Sequence, residues 1–485
     1  MRKQKRNILG TLLLVLQVIF SVMGMIPLIQ LNMLPDIYTI GIAAILFLFF
    51  ILSFILNFFR RTRIFGIILS FIICIMMGIV FYFSTTTKQF LTNVTNNTNN
   101  EIRRDKIIAV VRLDDDAETL QEAAYYQFGI LDIIDRPLVD QTMEQYNDDL
   151  DQVLNYNTYD NLSDLLTAFN DNEVQALIYN QAWDATIEEL DEGFTTRIRI
   201  LDTSIIETVE EVVESTIEVT QDPFIVYISG IDQFEPISVT GRSDVNLLAV
   251  VNPETYQVLL ITTPRDYYIE FPGITGGNSD KLTHAGNFGV QASINALANL
   301  YDISIEHYVR LNFTAFVDVV DELGGVEVYS EQDFITSHLY IPVYEGYNYF
   351  YGDGALAFVR ERFNLYDGDF QRGRNQQAML TGIMQKAMSP AILTGYSGIL
   401  SSLSGNMDMN FTSSEISELV KNQLTDNAQW NIVSTAALGY TSSEYCFTAG
   451  SYASVVIPDE MSVADIQEKI ATILNGGYVE EAIAY

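Results

Sequence analysis

Three long apolar runs stand at the start of this chain, and they limit its architecture more than any other feature of the sequence. Ile8–Leu31, Tyr38–Phe59 and Ile64–Phe83 hold 24, 22 and 20 residues with almost no charge. A helix rises about 1.5 Å per residue, so each run reaches across a hydrocarbon layer about 30 Å thick. A cleaved signal followed by a buried helical hairpin is the other reading of such a start. A secretory signal, however, has an apolar core of only about 7–15 residues. We therefore read residues 1–83 as a three-helix membrane anchor.

The short loops set its orientation. Arg2, Lys3, Lys5 and Arg6 precede the first run, and Arg60, Arg61 and Arg63 lie between the second and third. The loop Asn32–Ile37 carries only Asp36. Basic loops stay on the cytoplasmic side. The N-terminus is thus expected inside and everything after Phe83 outside the plasma membrane. Residues 1–83 hold seven of the 26 Lys and Arg but one of the 62 Asp and Glu, so the outer part carries 19 basic and 61 acidic residues, a net −42. Such a body repels nucleic acid and anionic lipid at long range. No folded cytoplasmic part is expected either. Any anion it takes must be held by a local basic cluster. Cys74 lies in the third run and Cys446 far away, so no disulfide is expected, and His284, His307 and His338 show no metal-type spacing.

Residues 84–101 read as a linker, because Leu91–Asn100 (LTNVTNNTNN) is polar and lacks an apolar period. Lys106–Arg112 (KIIAVVR) has the run of a buried strand, and strand-like Ala176–Tyr179 and Thr196–Leu201 follow acidic helical segments. Residues 102–215 are expected to form a small α/β unit without a catalytic constellation. Its acidic run LDDDAE (Leu113–Glu118) reads as a solvated turn and helix start. From Pro223 the pattern changes. Strands at Phe224–Ile231, Asn246–Val251, Gln257–Thr262 and His307–Phe313 alternate with helices at Val290–Leu300 and Ala315–Leu323. A last helix, Val463–Leu474, is expected to be capped by Ser462. Residues 223–477 thus make one α/β domain, a mixed sheet flanked by helices, with 478–485 as a tail.

Four polar clusters interrupt those strands: Gly241-Arg242-Ser243-Asp244, Pro264-Arg265-Asp266, Lys281, and Arg360-x-Arg362 followed by Asp367, Asp369, Arg372, Arg374, Gln376 and Gln377. Strand ends are where α/β sheets place ligands. Arginine forks match phosphate oxygens, and a pyrophosphate needs several. Carboxylates beside them make sense if they hold a divalent cation that bridges to phosphate, and Asp244 and Asp369 are the candidates. Each motif alone has a bland reading. Pro-Arg-Asp is commonly a turn with an ion pair, Arg-x-Arg on a strand faces solvent, and Asp-Gly-Asp is commonly a turn.

Together, GRSDVNLLAVVNPETYQVLLITTPRDYYIEFPG, DKLTHAGNFGV and FVRERFNLYDGDFQRGRNQQ resemble the LytR-CpsA-Psr family, in particular its capsule-associated CpsA branch. The resemblance implies a Gram-positive envelope enzyme. It would move capsular polysaccharide or teichoic acid from an undecaprenyl-pyrophosphate carrier onto peptidoglycan, through a phosphodiester bond. It implies that Arg242, Arg265, Arg360, Arg362, Arg372 and Gln376 grip the pyrophosphate. It implies that Asp244 and Asp369 hold Mg²⁺ or Mn²⁺, with Lys281 matched by its setting. Asn375 stands where many members have arginine, which leaves open whether Arg372 or Arg374 meets phosphate. Asp232 and Asp266 are candidates for the general base. The competing functions are a polyprenyl-lipid or polysaccharide binder within a capsule assembly complex, a pyrophosphatase, and a transcription regulator. The topology disfavours the last.

Overall fold

The computed structural model describes residues 8–95, 101–132, 134–210, 217–231, 237, 239–387 and 392–480. The three apolar runs become α1 (Ile8–Leu31), α2 (Asp36–Phe58) and α3 (Arg63–Thr95). All three are long and apolar enough to cross a membrane. Their outer faces expose Phe47, Phe54 and Phe71 among many Ile and Leu, a surface suited to hydrocarbon. Within the bundle α1 and α3 touch closely. A Cβ on Gly24 would lie 2.9 Å from the Met77 carbonyl, and buried Ser70 donates to Gln17 at 2.9 Å.

The expected linker is not where α3 stops. The helix continues past Phe83 to Thr95, 33 residues in all, which is roughly 50 Å at the α-helical rise. Along its polar stretch the hydroxyls of Thr85, Thr86, Thr87 and Thr95 donate to carbonyls one turn back, which satisfies them without favouring the helix. It is held because Leu91 and Val94 are buried against the outer body. Tertiary burial overrides weak helix propensity here.

The first outer unit is a five-stranded sheet in the order β3-β2-β4-β1-β5, built from β1 (Glu101–Arg112), β2 (Gln127–Leu131), β3 (Asn155–Tyr159), β4 (Ala176–Asn180) and β5 (Ile198–Glu210). Helices α4 (Arg136–Leu150), α5 (Leu162–Asn170) and α6 (Asp184–Leu190) cover it. Successive strand side chains point to opposite faces. Ile107, Ala109 and Val111 therefore pack with Met143 and Tyr146 of α4, while Ile108 and Val110 pack with Leu165 and Trp183. Burial on both faces explains the unbroken apolar run in β1.

The main domain is a six-stranded mixed sheet, β16-β11-β6-β7-β8-β17. Its strands are β6 (Phe224–Ile231), β7 (Ser243–Asn252), β8 (Gln257–Thr263), β11 (His307–Asn312), β16 (Met407–Met409) and β17 (Asn431–Ala436). β6, β7 and β8 are antiparallel neighbours, while β11 and β17 run parallel to β6 and β8. Two-stranded ribbons surround it: β9 (Tyr268–Glu270) with β10 (Ser279–Lys281), β12 (Val326–Ser330) with β15 (Gly346–Phe350), β13 (Phe334–Ile335) with β14 (Pro342–Val343), and β18 (Gly439–Cys446) with β19 (Ser451–Pro458).

One face of the main sheet buries Leu248, Val250 and Ile261 against α8 (Val290–Tyr301) and α14 (Glu460–Leu474), just beyond the short α7 (Leu282–Ala285). The other face buries Leu247, Ala249 and Leu260 with Phe411 and with Val94 of α3. It is covered further by α9 (Phe313–Glu322), α10 (Gly352–Arg360), α11 (Asp369–Ala387), α12 (Ile392–Leu403) and α13 (Ser413–Asp426). Two local expectations change. Arg360-x-Arg362 is not a strand, since Arg360 ends α10 and Arg362 follows it. The last helix begins at Glu460, capped by Asp459, whose side chain accepts from Met461 and Ser462. The Ser462 hydroxyl instead accepts the Leu438 N–H at 2.9 Å.

The two outer units share hydrogen bonds. Thr240 N–H donates to the Arg104 carbonyl at 3.1 Å and Ser163 N–H to that of Ala449 at 3.0 Å. Just behind the start of β7, Gly286 packs on the backbone: a Cβ there would lie 2.6 Å from Ser243 N and 2.7 Å from the Gly241 carbonyl. Neither atom is the end of a flexible side chain. Gly286→Ala is expected to cost about 1–3 kcal/mol through overpacking, read as a lower thermal unfolding midpoint of the full chain in detergent. An unchanged midpoint would mean that the 241–243 segment shifts freely.

Candidate functional site

Four backbone elements bring the polar clusters together. β7 begins at Ser243, so Asp244 sits at its first turn of side chains, buried. β8 ends at Thr263, and Arg265 and Asp266 follow it directly. β10 ends on Lys281, which precedes α7. α11 begins on Asp369 and carries Arg372 one turn on. Gly373 lets α11 press against β8, since a Cβ there would lie 2.9 Å from Thr262 Cγ2.

Asp244 is the hub. Its Oδ1 accepts from Arg265 Nη1 at 2.6 Å and from Thr283 Oγ1 at 3.0 Å. Its Oδ2 lies 3.7 Å from Arg372 Nη2, which also donates to the Asp244 carbonyl at 3.3 Å. Burial alone would raise its carboxyl, but Arg265, Arg372 and Arg242 outweigh that and hold it well below the usual range. Arg265 also lies 3.6 Å from Asp266, and Lys281 Nζ lies 3.7 Å from the same carboxylate. Arg372 reaches Asp369 at 3.7 Å. Burial raises the Asp369 carboxyl, with Asp266 adding to the rise against Arg372, Arg362 and Arg265. Asp369 therefore feels Asp266 and Arg265 of the second motif as well as Arg362 and Arg372 of its own.

Other predicted residues lie differently. Arg374 is turned to Glu331 at 2.9 Å and Asp367 at 2.8 Å, so of the two arginines left open by the sequence it is Arg372 that joins the cluster. Gln376 is buried one turn beyond Arg372, its amide 3.4 Å from the Val359 carbonyl. Gln377 ties α11 to β17 through the Thr435 carbonyl at 2.6 Å. Arg360 is exposed and stacks over Phe313 at 4.5 Å. Asp232 lies outside the described residues. Three contributors carry no signal in the sequence. Thr283 holds Asp244. Glu361, between the two arginines, folds the turn after α10 by accepting the N–H groups of Arg362, Phe363 and Asn364. Glu189 comes from α6 of the first outer unit, which the sequence had given no chemistry, and its carboxylate meets Arg242 at 2.6 Å. A neighbouring buried network, Asp280 with His284 at 2.8 Å and with Thr448 at 2.6 Å, braces the backbone at Lys281.

Beside the cluster runs an apolar groove of about 300 Å³, lined by Val245, Leu247, Phe313, Val319, Leu356 and Gln376 among others. Its charged end is defined by chain neighbours. Val245 adjoins Asp244, Gln376 follows Arg372 by one turn, and Phe313 lies beneath Arg360. Leu403, the last residue of α12, and Met407, the first of β16, also line the groove. α9 lines it as well, whereas α8 packs in the core on the other face. No charged side chain of the cluster lines the groove; the link between them is α11, where the lining residue Gln376 lies one turn beyond Arg372.

The LytR_cpsA_psr family model matches residues 197–470, the span that builds this site. The chain belongs to the LytR-CpsA-Psr family. Relatives within it include TagU of Bacillus anthracis, named as a polyisoprenyl-teichoic acid–peptidoglycan teichoic acid transferase. It is 34% identical over 183 residues, 38% of this chain and 59% of that protein. TagU of Enterococcus faecalis is 34% identical over 216 residues, 42% of this chain and 68% of that protein. This chain thus spans 59% of the length of the first relative. Among solved structures, TagT bound to LI-WTA is 26% identical, covering 54% of this chain and 94% of that one, with a TM-score of 0.44.

A divalent cation, expected from the sequence at Asp244 and Asp369, is tested by the donor atoms. Among the described residues no three His, Cys, Asp or Glu gather in a metal-binding group. Mg²⁺, however, commonly takes one or two carboxylates and completes its shell with phosphate and water. Asp266 Oδ1 and Asp369 Oδ1 are both buried without a hydrogen-bond partner, and the two carboxylates repel. These atoms fit a cation. Asp244 fits less well, because its Oδ1 is taken by Arg265 and Thr283.

The hub also sets acid stability. Asp244 has a depressed folded pKa, so its contribution is present at neutral pH. It fades as pH falls below about 4, the unfolded value, and is lost on passing the lower folded one. Asp244→Asn is expected to cost about 3 kcal/mol at neutral pH, because it strands two buried guanidinium groups. The gap between variant and wild type should narrow in acid. Unfolding midpoints at both pH values check this, and an equal gap would mean that the carboxylate's charge contributes nothing.

Proposed function

We propose that this chain is a membrane-held transferase that takes a glycan polymer from a polyprenyl-pyrophosphate carrier and joins it to peptidoglycan through a phosphodiester bond. What supports this most is the junction of a buried arginine cluster with an apolar groove, the two halves of a pyrophosphate lipid. The family's transferases, such as the TagU relatives, add weight. The chain's own apolar helices keep the groove at a membrane surface, with the outer domain on the cell-wall side. Capsular polysaccharide or teichoic acid is the polymer.

Arg265, Arg362 and Arg372 are proposed to bind the two phosphates, with Arg242 and Lys281 on one flank and Arg360 at the groove mouth. A sugar hydroxyl of peptidoglycan attacks the sugar-proximal phosphorus. The bond from that phosphorus to the bridging oxygen breaks, and polyprenyl monophosphate leaves. Fixed guanidinium groups stabilise the charge that develops on the leaving oxygens. Asp369 and Asp266 would hold a divalent cation such as Mg²⁺ or Mn²⁺, which would add charge neutralisation at the phosphate oxygens. Asp266 or Asp232 accepts the hydroxyl proton.

The full chain, purified in detergent from bacteria, is expected to carry a polyprenyl phosphate detectable by native mass spectrometry and organic extraction. Arg360→Ala/Arg362→Ala should lose it. Absence of lipid on both proteins, even after adding polyprenyl pyrophosphate with Mg²⁺, would sink the carrier-lipid reading. Val319→Trp, which fills the groove, separates its two halves. The lipid should be lost while inorganic pyrophosphate still binds within about threefold of wild type, a free-energy difference of about 0.6 kcal/mol. Retained lipid in that variant would move the tail elsewhere.

A further inference from the structure

Among the described residues, Glu189 is the acidic side chain that the first outer unit sends to these cations, and its geometry is that of a bound anion. Its Oε1 lies 2.6 Å from Arg242 and 3.8 Å from Arg265, and its Oε2 lies 3.4 Å from Lys281. The two oxygens are thus shared among three cations, as phosphate oxygens would be. Those three side chains are 9–10% exposed while that of Glu189 is 41% exposed, so it approaches from the open side. Its position is not accidental. The next residue, Glu188, accepts from Gly193 N–H and Thr195 N–H at 2.7 Å each, and Ile187 is fully buried in the unit's core. α6 is therefore held in place, while the Glu189 side chain itself is 41% exposed.

We propose that Glu189 is a built-in competitor that neutralises the outer face of the phosphate cluster and must be displaced when pyrophosphate binds. This rests on reading the cluster as a pyrophosphate site. Partly buried cations without an anion are costly, so Glu189 stabilises them until a phosphate takes over. Arg242, Arg265, Lys281, Arg362 and Arg372 then stand against Asp244, Asp266 and Asp369 alone, and the surplus positive charge is met by the ligand. The first outer unit thereby sets how tightly the carrier headgroup is held, which favours release of the product phosphate as well.

The test is calorimetric titration of the full chain in detergent with inorganic pyrophosphate at fixed salt and Mg²⁺, comparing wild type, Glu189→Gln and Glu192→Gln. Glu192 is exposed in the same unit and controls for net charge. Glu189→Gln should bind pyrophosphate about tenfold more tightly, the equivalent of about 1.4 kcal/mol, with Glu192→Gln unchanged. Its unfolding midpoint should fall without pyrophosphate and recover at saturation. Unchanged or weaker binding in Glu189→Gln, equal tightening in Glu192→Gln, or a midpoint that pyrophosphate does not restore would each overturn the proposal. Failure of wild type itself to bind pyrophosphate would instead overturn the cluster reading, and the Glu189 proposal would fall with it.

Discussion

One buried carboxylate holds the site together. Asp244 stands between Arg265 and Arg372, side chains contributed by the end of β8 and the first turns of α11. Two guanidinium groups do not approach each other in a partly dry setting unless an anion lies between them. The β7–β8 ladder and the packing of α11 on β8 bring these segments together, and Asp244 lets the two guanidinium groups share that space. Everything that gives the cluster its use follows from this. The arginines are held with their outer N–H groups towards the open side, and Asp369 and Asp266 are brought near enough to repel. The basic cluster also explains how so acidic a body can bind an anion at all. The net −42 of the outer chain acts at long range and is screened by salt, while contacts of 2.6–3.8 Å are not.

The acidic hub lowers the positive charge of the site but fixes its geometry. An Asp244 carboxylate engaged by Arg265, Thr283 and Arg372 leaves the remaining guanidinium hydrogens oriented rather than neutralised. Asp369 and Asp266 are in the opposite condition. Their inner oxygens have no donor, and burial pushes Asp369 up. Asp244 accepts a short hydrogen bond from arginine, whereas Asp266 and Asp369 meet their cations only at 3.6–3.7 Å, although all three look alike in the sequence.

That contrast marks how far the residues could be read directly. The apolar runs, the paired strands around Asn246–Thr262 and the membership of the four clusters were legible, because period, composition and motif spacing encode them. The end of α3 was not, since its helicity rests on Leu91 and Val94 meeting a core formed by residues more than a hundred positions away. Arg360-x-Arg362 was misplaced on a strand because the short helix α10 and the Glu361 turn show no clear period. Asn375 in place of an arginine left Arg372 and Arg374 equivalent until helical geometry turned one to Asp244 and the other to Glu331 and Asp367. Glu189 was invisible for a simpler reason. It is one acid among 62, and only the docking of α6 beside Arg242 distinguishes it.

The extra length of α3 gives the anchor a mechanical meaning. A flexible linker would let the domain tumble above the bilayer, and a lipid substrate would have to leave the membrane to find its groove. Here the helix that crosses the membrane is also part of the domain's packing. Phe83 meets Tyr396 edge-on at 5.6 Å, the Thr87 and Tyr396 hydroxyls are 2.6 Å apart, and Thr95 bonds Ser413 at 2.7 Å. Tyr396 belongs to α12, whose last residue, Leu403, lines the groove. On the proposed function, such packing would let a polyprenyl tail stay partly in hydrocarbon while its pyrophosphate reaches the cluster, which would spare the cost of extracting the whole tail.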